Sequence, residues 1–144
     1  MKINLKSGVG ELLFGMKEKD VQAVYGQPDS VYKDEDKNII YIYNALKLRL
    51  TFYHDEDFRL GYIISSNPAL EFAGQKIIGQ KWPDVEKFAA DNKIRDFVKE
   101  NFDASDNYFN EDNWIIFQVE FDEVIKVELG AIINNKDEFE WKFR

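Results

Sequence analysis

The chain has 144 residues, of which 44% are hydrophobic and 15% aromatic, and its 27 acids against 19 bases give a net charge of −8. That apolar content excludes a disordered chain, and the negative balance excludes the positive footprint that a phosphate backbone requires, so nucleic acid is not an expected partner. Without cysteine there is no disulfide framework, thiolate metal site or Cys nucleophile, which fits a reducing cytoplasm.

In chain order, the opening "MKINLKSGVGELLFG" is broken by polar residues and reads as neither signal peptide nor anchor. No apolar run approaches the roughly 20 residues of a membrane span, so no membrane contact is expected. "EKDVQAVYGQP" predicts a short helix over about Glu18 to Tyr25, with Val21, Val24 and Tyr25 at helical spacing. Gly26 is placed to cap it and Pro28 to stop it. "QPDSVYKDEDKN" reads as a turn and charged connection, and "IIYIYN", "LKLRLTFY" and "FRLGYIIS" as strands. The alternation puts Leu46, Leu48, Leu50 and Phe52 on one face, opposite Lys47, Arg49, Thr51 and Tyr53. Pro83 suits the first turn of a second helix, with Val85, Phe88 and Ala89 as its apolar stripe. "NKIRDFVKENF" predicts another helical stretch, with Ile94, Phe97, Val98 and Phe102 inward. "DASDNYFNEDN" reads as a loop or irregular strand, and "WIIFQVEF", "VIKVELGAII" and "FEWKFR" as strands.

The order is helix, three strands, helix, three strands. Gly15, Lys17, Asp20 and Val21 recur 64 positions later as Gly79, Lys81, Asp84 and Val85. Together these predict one α+β domain built from two tandem repeats, about 8–68 and 72–144. Each half is too small to bury a large core alone, so the two should share one largely antiparallel sheet with the helices on one face.

Few residues suggest chemistry. His54 is the single histidine, and "HDED" could bring it to Asp55 or Asp57. A transition-metal site would normally add a second His or a Cys, and the calcium-loop spacing is absent, so a solvated hairpin tip is expected. Gly8, Gly10 and Gly15 do not form a phosphate-loop pattern and read as turns before the first helix. No serine has a His partner in a recognisable motif. The expectation is therefore no enzyme, no cofactor and no metal.

"FGMKEKDVQAVYGQPD", followed by "LKLRLTFY" and "FRLGYIIS", resembles the repeat of the β-lactamase-inhibitor-protein-like superfamily, and is similar to the SmpA/OmlA (BamE) outer-membrane assembly lipoproteins. The resemblance implies a curved sheet face that binds proteins. It points to a bacterial immunity or inhibitor protein, or to a structural assembly module. Residue chemistry names the contact set. Tyr41, Tyr43, Tyr53 and Trp114 could present aromatic area, and Asp34, Glu35, Asp36, Asp55, Glu56, Asp57, Glu120, Asp122 and Glu123 could meet Lys and Arg of a basic partner, such as a toxin domain. The oligomeric state is left open.

Overall fold

The computed structural model describes residues 1–143 and opens with three two-residue strands, β1 (Ile3–Asn4), β2 (Gly8–Val9) and β3 (Leu12–Leu13), paired antiparallel. Helix α1 (Glu18–Tyr25) follows at the expected place. Its start is fixed by Asp20, whose Oδ2 accepts the Lys17 N–H at 2.9 Å, and Glu18 and Asp20 put negative charge at the positive end of the helix. Gly26, at φ 76°, ends it by donating its N–H to the Gln22 carbonyl.

Four strands then meander: β4 (Ser30–Lys33), β5 (Ile39–Tyr43), β6 (Leu48–Tyr53) and β7 (Arg59–Ser65). A small hairpin, β8 (Glu71–Phe72) and β9 (Gln75–Lys76), leads to helix α2 (Trp82–Asp91), with Pro83 in its first turn and Asn92 closing its end. A second four-strand meander completes the chain: β10 (Val98–Phe102), β11 (Ser105–Asn110), β12 (Ile115–Glu120) and β13 (Glu123–Gly130). The meanders join edge to edge through β13 and β7, giving one eight-stranded antiparallel sheet in the order β10-β11-β12-β13-β7-β6-β5-β4. An α+β class with a large antiparallel sheet and two helices is thus established.

Partners in register share a face, so the pairings locate the core. Tyr41, Leu50, Ile63, Leu129 and Ile115 form one row across five strands, each at most 1% exposed. The neighbouring row runs Tyr43, Leu48, Ser65, Val127, Phe117 and Tyr108. Both helices cover this face. The Tyr41 hydroxyl donates to Glu18 and accepts from Gln22 of α1, and Trp82 of α2 stacks on Tyr108 with centroids 4.2 Å apart.

Several expectations are corrected here. The helical stretch expected around Asn92–Phe102 is instead a turn followed by edge strand β10, because β11 offers it a full set of partners from Val98–Phe109 to Phe102–Ser105. Inward placement holds for Ile94, which is 1% exposed, but Val98 and Phe102 are 58% and 51% exposed. The charged connection after α1 contains a fourth strand, β4, and the loop at residues 103–113 contains β11. "FEWKFR" is no sheet strand among the described residues. Its Phe139 bridges back to Ile133, and the Lys142 and Phe143 N–H groups both donate to the Phe14 carbonyl.

Candidate binding face

Among the described residues, the opposite face of the sheet carries no helix. Its central row is Ile42, Arg49, Ile64, Glu128, Ile116, Phe109 and Val98, running from β5 to edge strand β10. Tyr62 and Trp114 extend this apolar belt. The Trp114 indole lies over Gly130, where a Cβ would come within 2.9 Å, and meets Tyr62 and Phe109 edge to face at 5.6 and 4.9 Å. The ends of the belt reach the edge strands, where Tyr32 is 44% and Val98 58% exposed.

The meander geometry sorts the acidic turns to the two ends of this face. The β4–β5 and β6–β7 turns share one end, and the Asn38 Oδ1 ties them by accepting the His54 N–H at 2.9 Å. The sequence-separated Asp34–Asp36 and Asp55–Asp57 triplets thereby become one acidic margin. Asp34 partly holds its own turn, accepting N–H groups of Asp36 and Asn38 at 2.9 Å each. Asp57 pairs with Lys17, which holds its carboxyl below the usual range by hydrogen bond and charge, while remaining exposed. The antiparallel β13–β7 join reverses the second meander, so Asp122, Glu123 and the end of β12 at Glu120 lie at the other end. Glu123 there faces Lys81 at 3.4 Å.

The expected contact residues therefore separate. Asp34, Glu35, Asp36, Asp55, Glu56 and Asp57 come together, Glu120, Asp122 and Glu123 form a second group at the other end, and Trp114, in the β11–β12 turn, lies over Gly130 at the end that holds the first group. Tyr53 is half-buried with its ring across Gly61 and 5.6 Å from Phe139. Tyr41 and Tyr43 are corrected to core residues, 1% and 4% exposed. In the continuous run "IIYIY" the two tyrosines take the helix side, and their hydroxyls are satisfied there, Tyr43 by the Gly26 carbonyl at 2.8 Å. His54 contacts Asp55 at 3.0 Å in an exposed turn and packs against Phe58. Among the described residues no three His, Asp or Glu side chains converge as metal ligands would.

Burial raises five phenols, Tyr25, Tyr41, Tyr43, Tyr53 and Tyr62, and the two largest shifts, Tyr41 and Tyr62, lie on opposite faces of the sheet. Tyr41 is pushed up to about 12, chiefly by burial and then by its hydrogen bond to Glu18, against a smaller opposing effect of Gln22. Tyr62 is raised further, by burial and by donating to Glu128. A raised pKa means the fold holds the proton that the unfolded chain releases, so this stability is complete below the ordinary value of 10.0 and is lost as pH rises toward about 12. The phenolate absorbance of folded protein should therefore lag that of the denatured chain, and Tyr62→Phe should remove part of the lag. Coincident titrations of the folded and denatured chain would contradict these environments.

No protein-family model and no curated protein sequence matches this chain. Solved structures do. An extracellular protein containing a SCP domain from Bacillus anthracis matches 89% of this chain at 15% identity, with a TM-score of 0.54. A cysteine-rich secretory protein from Staphylococcus aureus matches 90% at 15% identity, with a TM-score of 0.51. The chain spans about half the length of these structures, 49% of each. At such identity the likeness concerns fold alone. It nonetheless corrects the family resemblance: the structural neighbours are SCP-domain-containing proteins, not β-lactamase-inhibitor-protein-like or BamE-like ones. The quoted motif encodes a short helix with a Gly entry and a Gly–Pro exit, and those signals specify a helix end in any fold.

Proposed function

We propose that this chain is a non-enzymatic protein-binding module that takes a basic protein on its open sheet face. The observation that carries this reading is a largely apolar row, interrupted by Arg49 and Glu128, that runs to both edge strands with no helix over it among the described residues and with acidic turns at the strand ends on either side. A net charge of −8 selects for a positively charged partner and accelerates its encounter. The immunity-protein assignment came through the family resemblance and is withdrawn with it. The binding face rests on the residues themselves.

The test begins by isolating and purifying a captured partner. Its association rate should fall roughly tenfold between low and physiological salt. Val98→Asp and Ile116→Asp, each checked for an unchanged fold by circular dichroism, should weaken binding at least about tenfold. A neutral or acidic partner, salt-insensitive association, or full affinity in both variants would reject the proposal.

The tandem-repeat reading also belongs here. Support comes from two irregularities: the ladder shifts register between Thr51 and Phe52 in the first meander and between Gln118 and Val119 in the second, 67 positions on. Tyr41–Leu50 and Tyr108–Phe117 are cross-strand pairs with the same displacement. Bulges are specific backbone features, so a matching pair favours duplication of one helix-and-meander unit.

A second reading concerns setting. Both solved neighbours are described as extracellular or secretory, and each is about twice as long as the matched region. An extracellular setting is therefore proposed as the alternative to the cytoplasmic location expected from the lack of cysteine. Fractionation of the native host with an antibody to this chain distinguishes them.

A further inference from the structure

The open face reverses sign near its centre. Lys47 in the β5–β6 turn, Arg49 on β6 and Lys126 on β13 line a depression of about 280 Å³, with Ile42, Ile64 and Ser66 among the other residues of its wall. Register brings these cations together across three strands. Arg49 pairs with Ile64, Ser66 donates its N–H to the Lys47 carbonyl at 3.1 Å, and the Val127–Ser65 pair brings Lys126 alongside Ser66. Among the described residues, none of the three is in an ion pair. Glu128, two positions from Lys126 on the same strand, is engaged by the Tyr62 hydroxyl. The Arg49 guanidinium lies 6.0 Å above the Tyr32 ring, a contact that steadies it without neutralising it.

Three unpaired cations in one depression of a chain with net charge −8 call for an anion. The isoleucines beside them call for apolar matter attached to it. We propose that this depression binds the C-terminal carboxylate of a partner chain whose last residue is aliphatic. This rests on the docking reading above and adds a specificity element to it. The acidic margins meet a basic rim, while the centre demands one carboxylate. An aspartate or glutamate side chain is a poorer fit, because its charge is not borne on the aliphatic body that Ile42 and Ile64 would cover.

Titration of the full chain with N-acetyl-leucine, followed by amide NMR shifts, tests the site directly. Saturable shifts confined to residues 42–49, 64–66 and 126 are expected, with Kd on the order of 1 mM. N-acetyl-leucinamide should not saturate. Arg49→Gln and Lys126→Gln should each weaken N-acetyl-leucine about tenfold, whereas Lys87→Gln on α2 should not. Circular dichroism of each variant separates lost binding from lost fold. Equal binding of inorganic phosphate, tighter binding of hexanoate, or no saturation overturns the proposal. The docking reading fails separately, through Val98→Asp and Ile116→Asp, neither of which lines the depression.

Discussion

Replacing Trp82 with alanine is expected to destabilise the protein by about 3–5 kcal/mol, the largest effect of any single truncation in the helix layer. The indole is 4% exposed and fixes α2 to two rings of the sheet and to one in the loop before β10. It stacks on Tyr108 at 4.2 Å, meets Phe97 edge to face at 5.2 Å, and lies 5.5 Å from Phe117. Truncation removes both the buried area and the shared partner of an aromatic cluster, and the flanking rings belong to different elements, so they cannot collapse together cheaply. Denaturant unfolding of Trp82→Ala and Trp82→Phe measures this. The phenylalanine variant should recover a large part of the loss. A midpoint unchanged in the alanine variant would mean that α2 is not held this way.

Gly8→Ala is expected to cost roughly 2–5 kcal/mol, through backbone strain and overpacking combined. Gly8 has φ 152°, and a Cβ there would lie 1.9 Å from the Leu12 carbonyl oxygen. That oxygen belongs to the paired β2–β3 ladder, so relief requires moving backbone rather than turning a side chain. The ladder in turn seats Leu12 and Val9, 0% and 2% exposed, in the core. Gly74→Ala is the control. Its φ of 85° is equally unusual for an L-residue, but nothing lies within 4 Å, so only about 1–2 kcal/mol of local strain is expected. Equal losses at the two positions, measured by thermal or urea unfolding, would assign the Gly8 effect to φ alone.

The legible part of the fold is the part determined by neighbours in sequence. Helix α1 was readable because Val21, Gly26 and Pro28 all lie within one short segment. Strands β5, β6 and β7 were readable from their apolar character. What failed depended on distant partners. In and just before β10, Phe97, Val98 and Phe102 repeat at a spacing that suits a helix, and pairing with β11 makes residues 98–102 extended. Tyr41 and Tyr43 are ambiguous in sequence because a run of five apolar residues does not say which side faces the helices. For the candidate face, the acidic turns were visible, but their division between two ends follows from the β13–β7 join. The central depression was hidden for the same reason. Lys47 and Arg49 adjoin in sequence, while Lys126 reaches them only through register, from within a segment whose alternation is broken by the shift at Gln118 and Val119.

That join has a kinetic consequence. Every other pairing in the large sheet links strands adjacent in sequence across a short connection, whereas Val127–Ser65 through Gly130–Tyr62 unites residues more than sixty positions apart. Loop-closure entropy therefore falls mainly on this one seam. Each meander can begin to zip from its own hairpins, but neither has a finished sheet until the seam closes. Before then, β7 and β13 are two unpaired edges rich in isoleucine, valine and leucine, the kind of edge that recruits strands from other chains. The late closure of the centre, rather than the stability of either half, is what sets the risk of misassembly during folding.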